Sequence, residues 1–334
     1  MASFNQKRVV VTGGAGFIGS HLVERLIKDG HTVSVIDNFS TGLERNLESV
    51  KNHPRLKVFK ADITDFNAML EIFEGVDWVF HLAALSNLIP SIQKPLDYFE
   101  SNVFGTASIL EASRKRGVKR FIYTASSSCY GIPDEYPTKE TAAIRPQYPY
   151  AESKYLGEHL ALHYAKLYKL PLVSLRPFNI YGPRVRTDSG YGAALGVFLA
   201  QKANQKPLTI VGDGTQTRDF VFVTDAVDAF LKAAESNCVG EIFNIGSGHP
   251  ESVNTLVTLL GSEKKVYLPK RPGEPDQTFA DITKITTRLH WKPIVSIKEG
   301  VKIVLKEIDN WKNAPVWTES TIQEATQDWF KYLS

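Results

Sequence analysis

Tyr150 and Lys154 stand four positions apart in Pro149-Tyr150-Ala151-Glu152-Ser153-Lys154. On a helix that spacing puts both side chains on one face, one turn apart. An ammonium beside a phenol favours the phenolate, because opposite charge stabilises the ionised form. Free tyrosine ionises near pH ~10, so a tyrosine that moves protons at neutral pH needs such help. The pair is a candidate acid/base with its own cation. The plainer reading is an exposed helix that happens to carry a Tyr and a Lys. A second set of groups precedes it, in Ala125-Ser126-Ser127-Ser128-Cys129-Tyr130-Gly131. Hydroxyls there suit a substrate oxygen, unless the run is only a serine-rich turn.

Such groups need a scaffold, and the first half of the chain supplies one. The β-branched run Lys7 to Thr12 reads as a buried parallel strand. It meets Gly13-Gly14-Ala15-Gly16-Phe17-Ile18-Gly19, and Ser20 to Lys28 then shows helix spacing at Leu22, Val23, Leu26 and Ile27. Glycines between strand and helix fit a dinucleotide loop. Gly13 allows the tight turn, Gly16 the approach to a pyrophosphate at the helix N-terminus, and Gly19 close helix–strand packing. A second strand, Thr32 to Ile36, ends at Asp37, 18 positions after Gly19. A carboxylate there accepts from ribose hydroxyls and repels a 2′-phosphate, which favours NAD over NADP. Leu56 to Ala61 leads to Asp62-Ile63, a candidate adenine edge. Asp77 to His81 leads to Leu82-Ala83-Ala84, small enough for a dinucleotide to pass. Asp65 to Phe73 reads as an Asp-capped helix, Pro95 to Arg116 as one long amphipathic helix, and Lys119 to Thr124 as the strand before the serines. The alternation predicts an α/β fold, a Rossmann-type doubly wound parallel sheet. Ligands of such sheets sit at the carboxyl ends of the strands.

Composition narrows the class. The 334 residues allow a large core, 43% are hydrophobic, and the net charge is +3. No basic block marks a nucleic-acid groove, so no nucleic-acid partner is expected. Cys129 and Cys238 form no metal-type spacing and no disulfide framework, so no metal is expected. With no signal-type or membrane-spanning run, the expectation is a soluble cytoplasmic protein with no membrane partner.

In combination these motifs identify a family. The chain resembles the extended short-chain dehydrogenase/reductases, in the branch of NAD-dependent nucleotide-sugar epimerases and dehydratases, and most of all the UDP-glucose and UDP-N-acetylglucosamine 4-epimerases. The resemblance rests on the glycine run, Asp37-Asn38-Phe39-Ser40, His81-Leu82-Ala83-Ala84, Ser126 with Tyr130-Gly131, and Tyr150 with Lys154. It extends through Arg176-Pro177-Phe178-Asn179-Ile180-Tyr181-Gly182-Pro183-Arg184 and Arg218-Asp219-Phe220-Val221. It implies that Tyr150 is the acid/base at the sugar hydroxyl, that Lys154 holds the nicotinamide ribose and lowers the tyrosine pKa, and that Ser126 bonds the same sugar oxygen. It implies NAD contacts from Gly13, Gly16, Phe17, Ile18, Gly19, Asp37, Asn38, Asp62, Ile63, Leu82, Ala83, Ala84 and Pro177. C4 of the sugar gives hydride to NAD⁺, a 4-keto sugar forms, the ring turns over and hydride returns to the other face. Dehydratases of the family carry an Asp-Glu pair after the hydroxyl residue; here Ser127 and Ser128 stand there, which favours a 4-epimerase over a 4,6-dehydratase. A decarboxylase, a 2-epimerase and, from another class, a scaffold protein without chemistry remain alternatives. The scaffold reading sits poorly with the presence of both Tyr150 and Lys154.

The second half is expected to hold the nucleotide-diphosphate sugar. The domain reading is 1–178 for the NAD-binding part, with some later segments returning to it, and 179–334 for a smaller C-terminal substrate lobe and tail. Leu172 to Leu175 reads as the last strand, Gly192 to Asn204 as a helix and Leu208 to Val211 as a short strand over the base. Residues 182–192 read as a substrate loop. By resemblance Asn179 serves the diphosphate region; Arg218 and Arg271 suit it too, since a guanidinium makes paired charged bonds to phosphate, and Arg184 is a further candidate substrate contact. Ser86, Asn87 and Ser127 line the sugar. Thr278, three before Asp281, lies near the C2 substituent and leaves room for an N-acetyl group. The resemblance also implies a homodimer through the helices Pro95–Arg116 and Tyr150–Tyr168. Thr318 to Leu333 reads as a capped amphipathic helix, packed on the small lobe or else serving as an interface or lid.

Overall fold

Seven strands, all paired in parallel, form the central sheet of the computed structural model, which describes residues 6–185 and 194–333. The first six are β1 (Arg8–Thr12), β2 (Thr32–Asp37), β3 (Leu56–Lys60), β4 (Trp78–His81), β5 (Arg120–Thr124) and β6 (Leu172–Pro177). The seventh is Glu241–Ile245, and the spatial order runs β3, β2, β1, β4, β5, β6, then Glu241–Ile245. The order reverses between β1 and β4, so a crevice opens at their carboxyl ends. β5 and β6 are buried along their whole length, and their polar residues Arg120, Ser174 and Arg176 are buried with bonded partners.

Helices cover both faces. Phe17–Lys28 buries Leu22, Val23, Leu26 and Ile27, the stripe its sequence spacing indicates. It starts earlier than Ser20, directly from the glycine loop. Asp65 caps the helix Phe66–Ile72 by accepting from the Ala68 N–H at 3.1 Å. The run expected as one helix is instead Pro95–Phe99, a π-helical turn Glu100–Phe104 and Gly105–Lys115. The wider turn contains Asn102, whose amide closes a pair of bonds with the Leu85 backbone, accepting at 2.8 Å and donating at 2.9 Å. Regular helix spacing in the sequence does not show such a turn, because its cause is a contact with a distant loop.

Residues after 178 serve two places. Helix Val223–Glu235 and strand Glu241–Ile245 belong to the sheet region; the Arg120 side chain on β5 donates to the Ala233 and Cys238 carbonyls. The small lobe contains three two-stranded pieces. They pair Asn179–Tyr181 with Phe220–Phe222, Thr217–Arg218 with Glu251–Ser252, and Leu208–Val211 with Lys265–Leu268. The helix expected over Gly192–Asn204 is Ala194–Ala203; the expected loop at 186–192 lies outside the described residues. The tail is two helices, Glu319–Ala325 and Gln327–Leu333, rather than one. Thr318 caps the first. Thr326 stands between them, its hydroxyl donating to the Ile322 carbonyl at 2.8 Å. Among the described residues no helix is long and apolar enough to cross a membrane.

Candidate active site

The crevice is a cleft of about 580 Å³ between the sheet and the small lobe. Every site residue expected from the sequence lines it except one, Arg184. The cleft therefore gathers groups from β1, β2, β4, β5, β6, two helices and the small lobe.

At one end is the glycine loop. Gly13 has φ +67°, and a Cβ there would lie 2.8 Å from the Ala83 backbone nitrogen. Only glycine lets the loop after β1 touch the loop after β4. A Cβ on Gly19 would collide with the Gly13 carbonyl, so the helix can start hard against the strand end. No side chain caps that helix at Gly16, and its first N–H groups lack intrahelical partners. This is a cradle for a pyrophosphate. Asp37 ends β2, with its two oxygens accepting from Ala15 N–H at 3.0 Å and Phe39 N–H at 2.9 Å. Burial raises its pKa while those N–H groups hold it back. Asn38 donates to Asp62 at 2.8 Å, so the ends of β2 and β3 are tied into one wall.

The floor beneath Leu82-Ala83-Ala84 is a buried polar chain. Thr106 donates to the Asn102 carbonyl at 2.6 Å, so at 2.9 Å it can only accept from His81 Nε2–H. His81 Nδ1 then accepts from Thr12 at 2.7 Å, and Thr12 in turn accepts from the Leu82 and Ala83 N–H groups at 3.1 and 3.2 Å. That assignment requires a neutral ring. Burial, with Lys154 nearby, lowers the His81 pKa to about 3, which agrees.

At the other end lie the reactive groups. Pro149 opens the helix Pro149–Tyr168 at its first turn. Tyr150 and Lys154 follow on one face, both lining the cleft. Lys154 is 3% exposed, and burial drives its pKa to about 7, with Glu158 pulling upward. Its ammonium lies 4.7 Å from the Tyr123 ring centroid. Burial raises the Tyr150 phenol above its usual value, and the group pulling it back is Ser126, through a side-chain hydrogen bond. The expected lowering by Lys154 is absent from the causes of that shift. Ser126 accepts from the Ser128 hydroxyl at 2.8 Å and the Ser128 N–H at 3.2 Å, which leaves its own proton free to point elsewhere. Glu158, one turn beyond Lys154, is held by Arg176 at 2.5 Å and by Ser174 at 2.6 Å.

The small lobe contributes the cations. Arg271 pairs with Glu274 at 2.7 Å, and Arg218 reaches the same carboxylate at 3.8 Å. Both guanidiniums thus meet the Glu274 carboxylate at the cleft. Asn179 accepts at Oδ1 from Thr278 at 3.0 Å, so its NH₂ remains available to the cleft. The Thr278 hydroxyl also accepts from the Asp219 N–H at 3.1 Å, so protein groups engage it from both sides. Arg184 is the correction. Its side chain pairs with Glu24 at 2.5 Å and donates to Ser20 at 3.1 Å, both on the first helix. A carboxylate on a neighbouring helix outcompetes the cleft, and sequence alone does not show which partner lies nearer.

Sequence reasoning missed other lining residues: Thr124, Tyr148, Glu274, Ile322 and Trp329. Tyr148 stacks on Tyr150 with ring centroids 6.4 Å apart and planes 9° apart. Only its place two residues before Tyr150 could have pointed to it. Thr124 carries a buried hydroxyl without a protein partner. An orphaned hydroxyl at a strand's carboxyl end, a glycine cradle, an anion-ready helix start and Asp37 together fit an NAD molecule.

Fold and site thus define a dinucleotide-binding enzyme whose cleft gathers Tyr150, Lys154 and Ser126 with arginines of the small lobe. Residues 9–246 match the NAD dependent epimerase/dehydratase family, and the chain belongs to it and takes NAD as cofactor. A UDP-glucose 4-epimerase from Mycolicibacterium smegmatis is 37% identical over 302 residues, covering 88% of this chain and 96% of its own. Among solved structures, a UDP-N-acetylglucosamine 4-epimerase from Methanobrevibacter ruminantium in complex with UDP-N-acetylmuramic acid superposes with TM-score 0.85. It is 35% identical and covers 90% of this chain and 99% of its own. A UDP-glucuronic acid 4-epimerase from Bacillus cereus, in complex with UDP-glucuronic acid and NAD, gives TM-score 0.84 at 35% identity. It covers 91% of this chain and 99% of its own.

Proposed function

We propose that this enzyme is a UDP-sugar 4-epimerase. One observation carries the reading: among the described residues, the cluster of Tyr150, Ser126 and Lys154 has no free carboxylate beside it. The carboxylates lining the described cleft are Asp37 and Asp62 at the β2 and β3 ends, and Glu274, held by two arginines. Elimination across C5 and C6 needs a base there, and the serines at 127 and 128 are poor ones at neutral pH. A cluster that can only take and return one hydroxyl proton suits epimerisation.

When bound, NAD supplies the hydride acceptor and returns the hydride to sugar C4. Tyr150 removes the proton from the C4 hydroxyl and gives it back after the ring has turned. Ser126 donates to the same oxygen and steadies it as charge develops. Lys154 holds a ribose hydroxyl and, once it has that partner, sets the charge around the phenol. Arg218, Arg271 and the Asn179 amide hold the diphosphate while the sugar rotates about it. Fixing the diphosphate and freeing the sugar is the geometric condition for return to the opposite face.

The reading extends to a cytoplasmic homodimer. Its support is an apolar face on the two helices expected at the interface, where Leu96 is 78% and Phe104 63% exposed, with Leu156, Leu167 and Tyr168 also uncovered. Both cysteines are buried and unpaired, in keeping with a reducing compartment. The test is the product spectrum. Incubation with UDP-glucose, UDP-N-acetylglucosamine and UDP-glucuronic acid, followed by NMR, should give a C4 epimer of at least one without net NADH. A 4-keto-6-deoxy sugar or a pentose as sole product would replace this reading with a dehydratase or a decarboxylase.

A further inference from the structure

The C-terminal tail reaches the reactive end of the cleft. Ile322 and Trp329 line it, and Trp329 is completely buried. Trp329 packs on Tyr148 with ring centroids 5.3 Å apart. Tyr148 stacks on Tyr150, and Tyr98 meets the Tyr150 ring edge-on at 6.4 Å. The catalytic phenol thus sits inside a row of four aromatic rings, and the outermost comes from the tail. Trp329 is fixed from both sides of the cleft. Its indole N–H donates to the Pro272 carbonyl at 2.8 Å, next to Arg271 in the small lobe. The neighbouring Asp328 accepts from Gln93 at 3.2 Å, on the helix Leu88–Gln93 that follows the sugar-side loop.

With its one polar side-chain atom committed to Pro272 and no surface of its own exposed, Trp329 backs the Tyr148 ring with carbon. Such a wall acts by shape and by excluding water. It stands on the side of Tyr150, where the glycosyl group must lie if the reading above is right, and away from the helix start that receives the cofactor's pyrophosphate. We propose that Trp329 is a specificity-determining residue. It backs and fixes Tyr148, whose ring is the wall against which the sugar packs, so that it sets the bulk of the sugar accepted and keeps the oxidised sugar from escaping. The nucleotide half of the substrate gains nothing from it. This inference rests on the proposed 4-keto chemistry only for its second part, retention of the oxidised sugar; the binding part stands without it.

The experiment compares the full-length wild type with Trp329→Ala and Trp329→Phe, each checked for bound NAD and for its circular dichroism. Calorimetry measures UDP and UDP-glucose separately, and kinetics measures kcat and KM for UDP-glucose and UDP-N-acetylglucosamine. Trp329→Ala should weaken UDP-glucose at least 10-fold and UDP less than 2-fold. It should shift the ratio of kcat/KM between the two sugars at least 5-fold. It should also let NADH accumulate during turnover, as oxidised sugar leaves. Trp329→Phe should recover most of the sugar binding, and if the alanine variant does not fold it carries the test alone, with a smaller loss confined to the sugar. Equal weakening of UDP and UDP-glucose, or no change in either, overturns the proposal. A wild type that binds UDP-glucose but epimerises no UDP-sugar would instead sink the functional reading, and the calorimetric comparison would still decide the role of Trp329.

Discussion

Replacing Lys154 by methionine should stabilise the NAD-free protein while abolishing turnover. Burial lowers the Lys154 pKa from 10.5 to about 7. The unfolded chain therefore binds the proton more tightly than the folded one, and the lysine costs stability at every pH below 10.5. At ~1.4 kcal/mol per pH unit, the gap between 10.5 and about 7 corresponds to a cost on the order of 5 kcal/mol. The cost is fully present below pH 7 and fades as pH rises toward 10.5, because between these limits the unfolded state holds more protons. Methionine removes the charge and keeps similar length and packing. It gives up the contact with the Tyr123 ring, worth about 0.5–2 kcal/mol. Glu158 is not orphaned by the change, since Arg176 and Ser174 hold it. The net expectation is a gain of about 2–4 kcal/mol at pH 7 from these opposing contributions. Urea unfolding of cofactor-stripped wild type and Lys154→Met from pH 6.5 to 10 would read it. The difference should be largest at the acid end and shrink steadily upward. A wild type that is the more stable at pH 7, or a difference flat across that range, would refute the claim that this lysine is a buried, destabilised cation.

Three further outcomes follow from the same geometry. Tyr150→Phe should cut kcat by about 10²–10⁴-fold while the protein still copurifies with NAD, read by absorbance and turnover. Arg218→Ala should raise KM at least tenfold with little change in kcat, because in the proposed mechanism this cleft-lining guanidinium serves the diphosphate and not the reacting carbon. Glu158→Leu leaves Arg176 buried without its counter-ion and should cost about 3–5 kcal/mol in a denaturant titration.

Much of the site was legible in the sequence because it is written locally. The Gly13–Gly19 loop, Asp37 at a strand end and the Tyr150–Lys154 spacing are each fixed within one strand–turn–helix unit, and the strand order then brings their ends together. The small lobe was less legible. Arg184 carries the same chemistry as Arg218 and Arg271, yet a glutamate on the first helix holds it outside the cleft. The π-helical turn at Glu100–Phe104 bonds Leu85 in the preceding loop, 17 positions before Asn102. Trp329 joins Tyr148 from nearly the other end of the sequence. The Lys154–Tyr150 relation shows a further limit. Spacing gives adjacency, but only burial decides whether the lysine carries a full charge, and burial is a property of the fold.

The account stands on one event: C4 of a UDP-sugar loses and regains the same hydrogen within the cleft while Tyr150 handles the hydroxyl proton. Substrate deuterated at C4, followed by NMR and mass spectrometry through conversion, tests this directly. The account predicts C4-inverted product with the deuterium still on C4 and no exchange with solvent. Inversion with deuterium lost to water, or a product unchanged at C4 and altered at another carbon, would contradict it.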